Sequence, residues 1–268
     1  MTQLVEKYKP ETLADFAGLD RPKAILAHLA QNPYSSAWLL LGPSGLGKTT
    51  MALALAKEIG GEVHHIPSKS CDLATVEEII ARCHYCPWQG KFHFLICDEA
   101  DQMSRAAQLA FLSKLDTTAA PPNTIFLFTA NATNLLEDRF LSRCRTIRFD
   151  TPDAEQIEEL LARVWRAESK AAAPDFSLIV EESKFNIRTA LMILETELIA
   201  GPRPPRPPAP AKRPSQITTD VLDAYAVAKH FGINVATLYN RVKMGRIPEP
   251  DRSGRKMVWS RDQLGVAA

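Results

Sequence analysis

The segment at residues 42–49 constrains this chain most, because it reads Gly-Pro-Ser-Gly-Leu-Gly-Lys-Thr. Two glycines five positions apart, followed at once by Lys and Thr, form the pattern of a phosphate-binding loop. The apolar run 38–41 precedes the loop, and the helix-favouring run 50–57 follows it. We therefore predict that the loop joins a buried strand to a helix, where backbone N–H groups and the positive helix end face phosphate.

This pattern predicts ATP and Mg²⁺ as cofactors. Lys48 is predicted to reach the β- and γ-phosphates, and the Thr49 hydroxyl to hold Mg²⁺. The residues predicted to contact the phosphates are Gly42, Pro43, Ser44, Gly45, Leu46, Gly47, Lys48, Thr49 and Thr50.

A second motif predicts hydrolysis. The apolar run 92–97 ends in Asp98-Glu99-Ala100-Asp101. In a phosphate-loop enzyme the first acid, Asp98, holds Mg²⁺ through water, and the second, Glu99, polarises the attacking water. A strand that ends in two acids is common, but one placed about fifty residues after a phosphate loop favours this chemistry.

Alternating strands and helices predict an α/β fold with a parallel sheet. The strand candidates are residues 37–41, 63–66, 92–97, 124–129 and 146–149. We predict a nucleotide-binding domain at 1–150 and a helical lid at 151–200, whose first helix is capped by Thr151 and has Pro152 at its first position. A stiff proline-rich linker at 201–215 and a small domain at 216–268 follow.

The two motifs, with further segments, resemble the clamp-loader branch of the AAA+ ATPases, which includes replication factor C small subunits and the gamma and delta-prime subunits of DNA polymerase III. The resemblance covers roughly residues 3–200. Residues 6–10 and 13–18 are similar to the segment that covers the adenine in that branch. The resemblance implies nucleotide contacts at Val5, Tyr8, Pro10, Phe16 and Ala17.

Three polar residues resemble catalytic positions of that branch. Asn131 matches sensor 1, which orients water and the γ-phosphate, and Arg188 matches sensor 2 of the lid. Arg143 lies in a Ser-Arg-Cys motif whose arginine reaches a neighbouring subunit's ATP, so the resemblance implies self-association through the ATPase domains. The alternatives are a helix cap for Asn131, a surface salt bridge for Arg143 and an exposed helix arginine for Arg188.

Cysteines and histidines cluster between the two motifs. Cys83 and Cys86 have the spacing of a zinc-ligand pair, and Cys71, His64, His65 and His84 lie near them in sequence. No second pair at ligand spacing is found, which favours packing in the core, although zinc remains the alternative.

The C-terminal part predicts DNA binding. Residues 201–268 contain 12 Lys and Arg against 5 Asp and Glu, which favours a polyanionic partner. Residues 224–243 have a helix–turn–helix pattern with core positions at Val227, Phe231, Ile233, Leu238 and Val242. Residues 220–265 resemble the winged helix-turn-helix of excisionase and MerR-like proteins. The predicted DNA contacts are Thr237, Asn240, Arg241, Lys243, Arg252, Arg255 and Lys256; a protein-docking domain is the alternative.

The resemblance implies a clamp-loader-like ATPase of DNA replication, with DNA and a sliding clamp as partners. We expect no collar-type helical domain between lid and linker, which leaves a replicative helicase as an alternative partner. An ATP-controlled DNA-binding regulator of a bacteriophage or other mobile element is the second alternative. We expect no membrane association and a cytoplasmic location, because the chain has no 18-residue apolar run, no signal peptide and five scattered cysteines.

Overall fold

A computed structural model of the chain describes residues 3–67, 71–116, 120–201, 221–231, 233, 235–245, 247–253, 256–260 and 264. The chain divides into two compact units, at residues 1–205 and 206–268. Most of the predicted linker lies outside the described residues.

The first unit contains a five-stranded parallel sheet. Its strands are β1 (Ser36–Leu41), β2 (Glu62–Ile66), β3 (His93–Cys97), β4 (Thr124–Ala130) and β5 (Arg145–Arg148), in the order β2-β3-β4-β1-β5. All five predicted strands are present, with ends shifted by about a residue. Every residue of β3 and β4 is buried, because helices cover both faces of a parallel sheet.

Helices pack on the two faces of this sheet. They are α2 (Asp20–Gln31), α3 (Lys48–Ile59), α4 (Leu73–Arg82), α5 (Arg105–Leu115) and α6 (Asp138–Leu141), whereas the short N-terminal helix α1 (Leu4–Lys7) packs elsewhere. Leu26 of α2 and Met51 of α3 belong to one core, and Val76 of α4 and Phe111 of α5 belong to the other. Among the described residues, no helix is both long and apolar enough to cross a membrane.

Three further helices form a separate layer with its own core. They are α7 (Ala154–Glu168), α8 (Phe176–Ser183) and α9 (Ile187–Ala200). Their core includes Ile157, Leu161 and Leu194, and Leu4 of α1 packs into it. The N-terminal helix therefore packs with the helical layer, although about 150 residues separate them in sequence.

The predicted start of α7 was wrong. The helix begins at Ala154, and Asp153 rather than Thr151 is its N-cap. Asp153 and Gln156 form a capping box, in which the Asp153 N–H donates to Gln156 Oε1 at 3.2 Å. This reciprocal pair satisfies two backbone donors, whereas Thr151 and Pro152 precede the helix.

The described part of the second unit contains helices and a small sheet. Its elements are β6 (Val221–Asp223), α10 (Ala224–His230), α11 (Val235–Lys243), β7 (Asp251–Ser253) and β8 (Lys256–Ser260), and β8 pairs antiparallel with both β6 and β7. Trp259 is fully buried beside Val227 and Leu238, and its indole N–H donates to the Pro248 carbonyl at 2.8 Å. Phe231 is 39% exposed, so its predicted core position was wrong.

Candidate functional site

A cavity of about 450 Å³ lies where the N-terminal segment, the phosphate-loop region, the carboxyl ends of β2 and β3, and helices α7 and α9 meet. The predicted residues that line it are Val5, Tyr8, Pro10, Phe16, Ala17, Gly45, Leu46, Gly47, Thr49, Thr50, Asp98, Glu99 and Arg188. A smaller pocket of about 90 Å³ shares several of these residues and adds Ser44, Lys48 and Asn131. The structure thus brings together predicted site residues from five separate parts of the sequence.

The loop has the backbone conformation that its glycines permit. Gly45 and Gly47 have φ angles of 82° and 84°, which side-chain-bearing residues rarely adopt. A Cβ atom on Gly45 would also lie 2.3 Å from Asn186 Oδ1. Gly47 is the N-cap of α3, so the free N–H groups of this helix end lie at the pocket, where they suit an anion.

Lys48 is almost completely buried beside the loop. Its Nζ donates to the carbonyls of Gly42 at 2.7 Å and Pro43 at 2.9 Å, and to Asn131 Oδ1 at 3.0 Å. These bonds use all three ammonium donors, so a phosphate oxygen would have to replace one acceptor. Burial lowers the pKa of Lys48, and the nearby Asp101 carboxylate opposes this shift.

The Asp98 carboxylate is the centre of a polar cluster at the end of β3. Its Oδ1 accepts from Thr49 Oγ1 at 2.6 Å and from Thr129 Oγ1 at 3.2 Å. Its Oδ2 lies 2.6 Å from His65 Nε2. The hydroxyl and carboxylate oxygens of Thr49 and Asp98 are the donor type that Mg²⁺ prefers, so the residues present fit this ion.

Sequence reasoning missed His65 and Thr129 as members of this cluster. The signal lay in the strand pattern: β2, β3 and β4 are neighbours, and the carboxyl ends of parallel strands meet at one edge of the sheet. Residues near the ends of β2 and β4 therefore come close to Asp98.

Glu99 has a left-handed backbone, with φ of 48°, which is strained for a residue with a side chain. Its N–H donates to Thr129 Oγ1 at 3.0 Å, and the residue lines both pockets. The neighbouring Asp101 is 6% exposed, and its Oδ2 accepts from the Asn131 N–H at 3.4 Å. Asn131 is therefore held by Lys48 and Asp101; since the next helix begins at Asp138, it caps none.

The N-terminal segment is attached to the helical layer. Tyr8 Oη donates to Glu168 Oε1, and Lys7 Nζ lies 2.7 Å from the same oxygen. Burial, followed by the Glu168 carboxylate, raises the pKa of Tyr8 to about 12. Arg163 of α7 also lines the cavity and was missed, because the lid helices carry no local motif for a ligand contact.

Asn186 connects the phosphate loop to the helical layer. Its Nδ2 donates to the Ser44 carbonyl at 2.7 Å, and its Oδ1 caps α9 by accepting from the Thr189 N–H at 3.1 Å. This contact places the first turn of α9 beside the loop. Arg188, an exposed residue of that turn, consequently lines both pockets.

Arg143 lies elsewhere on the surface. It forms a two-point ion pair with Asp116, with Nε–Oδ1 at 2.7 Å and Nη2–Oδ2 at 3.2 Å, and this pair lowers the pKa of Asp116. Among the described residues that line the two pockets, Arg143 is absent. The single chain thus shows the surface salt bridge, and the role of Arg143 in a neighbour's site stays a prediction.

The two cysteines of the Cys-x-x-Cys spacing differ in environment. Cys83 is fully buried at the end of α4, whereas Cys86 is exposed. Cys71 and Cys97 are also buried, with their Sγ atoms 3.4 Å apart.

The residues predicted to contact DNA are only partly described. Asn240, Arg241 and Lys243 are exposed on α11, and Thr237 is half-buried there. Arg252 and Lys256 belong to β7 and β8. Their side chains, and the whole of Arg255, lie outside the described part of the chain.

Comparisons with known proteins agree with this geometry. Residues 38–151 match the model of the AAA family, described as the ATPase family associated with various cellular activities. Replication factor C small subunit 1 of Pyrobaculum arsenaticum is 27% identical over 274 residues, which cover 97% of this chain and 77% of that protein. DNA polymerase III subunit tau of Escherichia coli (strain K12) is 26% identical over 226 residues, covering 74% of this chain and 35% of that protein.

A solved structure shares the fold. Thermotoga maritima RuvB, titled a Holliday junction branch migration motor, matches with a TM-score of 0.60 and 18% identity, over 97% of this chain and 99% of that one. The family match and the replication factor C relatives confirm the resemblance to clamp-loader ATPases, while the winged helix-turn-helix resemblance of residues 220–265 stays a prediction. The chain therefore carries an AAA ATPase domain whose homologues include clamp-loader subunits, and it is an ATP hydrolase.

Proposed function

We propose that this chain is a subunit of a clamp-loader-like ATPase, which binds DNA and uses ATP binding and hydrolysis to load a sliding clamp. The observation that carries the proposal is the composition of the cavity: the phosphate loop, Asp98, Glu99 and Arg188 line it, while Arg143 lies outside it. Together with the smaller pocket, which adds Asn131, the site contains every predicted catalytic residue except Arg143. The similarity to replication factor C small subunits supports the same function.

Different residues of the two pockets would bind the phosphates, hold Mg²⁺ and orient water. The N-terminal end of α3, Lys48 and Arg188 would bind the phosphates and stabilise the charge that spreads over the γ-phosphate oxygens. Thr49 and Asp98 would hold Mg²⁺, which neutralises charge on the β- and γ-phosphates when bound. Glu99 and Asn131 would orient the attacking water.

The missing arginine would come from a second subunit. Among the described residues, the Arg143 side chain is held by a partly exposed ion pair with Asp116 and a hydrogen bond to the Arg139 carbonyl. Exposed ion pairs are weak, so Arg143 can exchange Asp116 for a phosphate of the adjacent subunit at little cost. Hydrolysis would then depend on assembly.

The second unit would supply the DNA contact. Helix α11 exposes Asn240, Arg241 and Lys243, and residues 201–268 are strongly basic. Amide and basic side chains on one helix can contact both base edges and phosphates.

Mixing two inactive variants tests the shared site. Arg143→Ala should lower turnover by at least about 10³-fold, because an arginine supplied in trans is worth that much, and Lys48→Ala should abolish ATP binding. When the two are mixed with DNA and Mg²⁺, steady-state ATPase activity should return in part, since Lys48→Ala subunits donate Arg143 to intact loops. Arg139→Ala is the matched control and should keep full activity; absence of rescue in the mixture would exclude the shared site.

The same assay distinguishes the loaded factor. A sliding clamp should raise the turnover of the wild-type protein on DNA, whereas stimulation by a replicative helicase alone would identify a helicase loader. Slow turnover that responds to neither, together with tight binding to one duplex sequence, would indicate an ATP-controlled regulator instead.

A further inference from the structure

Several side chains of the kinds that bind metal ions lie close together at the amino ends of β2 and β3. The nucleotide cavity lies at the carboxyl ends of these strands. Glu62 and His64 are the first and third residues of β2, and His93 is the first residue of β3. Cys83 directly follows the last residue of α4. Glu62 and His93 are direct neighbours in the β2–β3 register. The amino ends of two parallel strands thus bring together residues that are 31 positions apart in sequence.

The distances suit one metal ion. One ligand atom from each of His64, Cys83 and His93 lies within 4.8 Å of the other two. His64 Nε2 and His93 Nδ1 are 3.0 Å apart, and the Glu62 carboxylate oxygens lie 3.8 Å from the first and 3.7 Å from the second. In a tetrahedral zinc site the nitrogen and sulfur ligand atoms lie about 3.3–3.6 Å from one another. The distances among the ligand atoms of His64, Cys83 and His93 run from 3.0 Å to at most 4.8 Å and so include this range.

Hydrogen bonds outside the cluster orient its members. His93 Nε2 donates to the Tyr85 carbonyl at 2.9 Å, which leaves the lone pair of Nδ1 directed at the cluster. Metal-binding histidines almost always donate their second nitrogen in this way. The Trp88 N–H donates to Glu62 Oε2 at 2.8 Å, so the carboxylate is also held from outside.

Burial and charge fit a divalent cation. Cys83 and His93 are buried, and the side chains of His64 and Glu62 are 8% and 26% exposed. A cysteine thiol binds a metal ion only by releasing its proton. A thiolate, a carboxylate and two neutral imidazoles would balance the charge of a divalent ion. A hydrogen bond between the two imidazoles explains their own separation, but it does not explain why the Cys83 thiol lies within 4.8 Å of both.

We infer that His64, Cys83 and His93 bind one Zn²⁺ ion, with Glu62 as the fourth ligand. Nitrogen and sulfur ligands at a buried, four-coordinate position are typical of structural zinc. The ion would fix the segment that carries the exposed Tyr85 and Trp88 to the amino ends of β2 and β3. This set includes only one of the two cysteines whose spacing had suggested zinc.

Metal content of the full chain tests this inference. The protein is stripped with a chelator, dialysed against Zn²⁺ in excess Mg²⁺, and measured by native mass spectrometry. Wild type should retain one Zn²⁺ per chain and unfold at a higher temperature than the stripped protein. Cys83→Ser should weaken Zn²⁺ binding by more than about 100-fold, since changes to outer-sphere partners alone cost 10- to 100-fold. Cys86→Ser is the matched control and should bind as wild type does.

A second measurement keeps the test decisive if Cys83→Ser does not fold. Co²⁺-substituted wild type should show tetrahedral absorption bands and a thiolate charge-transfer band, and His64→Gln should lose the tetrahedral bands. The inferred site would be wrong if the wild type retained no Zn²⁺ or if its Co²⁺ form lacked the thiolate band. It would also be wrong if the Cys86→Ser variant lost the metal while the His64→Gln variant kept it.

Discussion

At the scale of single residues, the nucleotide cavity depends on polar groups that each have more than one partner. The Asp98 carboxylate accepts bonds from Thr49 and Thr129 and also contacts His65, and the Lys48 ammonium uses all its donors. Asp98 is therefore held in place before any reaction begins, and such preorganisation is the main way that enzymes stabilise developing charge. Lys48, by contrast, must exchange one of its three acceptors for a phosphate oxygen. Glu99 adds a strained backbone to the site, and backbone strain of this kind clusters at functional sites.

Glu99→Gln separates ATP binding from hydrolysis. The substitution keeps the side chain's size but removes the carboxylate that would take a proton from water, so turnover should fall by about 10²- to 10⁴-fold. Affinity for ATP, measured by equilibrium titration, should change less than about threefold because the phosphate contacts remain. Glu77→Gln, on the exposed side of α4, is the control. Near-normal turnover of Glu99→Gln would show that another group acts as the base.

At the scale of elements, helix ends build the site. The N-terminal end of α3, which carries a positive partial charge, lies at the phosphate loop, and the N-terminal end of α9 carries Arg188. Asn186 caps α9 and also donates to Ser44, so one side chain fixes the position of the lid helix relative to the loop. Capping residues stabilise helices everywhere, but this one also links two layers of the first unit.

Asn186→Ala tests this double role. Loss of the cap should lower the free energy of unfolding by about 1 kcal/mol, and loss of the Ser44 contact should weaken ATP binding several-fold. Asp175→Ala removes an equivalent cap, since Asp175 accepts from the Ser177 N–H at the start of α8, and should cost similar stability. Chemical denaturation and nucleotide titration measure the two effects. Equal ATP affinity in both variants would contradict the linking role of Asn186.

At the scale of the whole molecule, charge divides unevenly along the chain. Residues 201–268 carry a net charge of +7 and residues 1–200 carry −6. Nucleic acids attract basic segments through counterion release, which makes affinity depend strongly on salt. This division of charge supports the proposal that the C-terminal part makes the DNA contacts.

Arg241 and Lys243 provide the corresponding test. If each contacts one phosphate, Arg241→Ala and Lys243→Ala should each reduce by about 1 the slope of log affinity against log salt concentration. Binding of the full chain to duplex DNA can be followed by fluorescence anisotropy. Lys229→Ala, on the exposed side of α10, should leave the slope unchanged. Identical slopes in all three variants would exclude α11 as the DNA-contacting helix.

The sequence by itself determined the phosphate loop, the Asp98-Glu99 pair and the five strands of the sheet. Each of these is a local pattern: the chemistry follows from neighbours along the chain, and buried strands require apolar runs. The start of α7 was less predictable, because Asp153 and Thr151 are both good caps and only the capping box with Gln156 separates them.

Only the tertiary structure decided which distant residues meet. The contact of His65 with Asp98 and the approach of His64 to His93 follow from the register of β2 against β3, and Cys83 reaches the two histidines from the end of α4. The packing of α1 into the lid core and the Asn186–Ser44 bond follow from how the layers stack. Sequence periodicity states which face of an element is buried, but it does not state the partner, because many partners bury the same apolar face equally well.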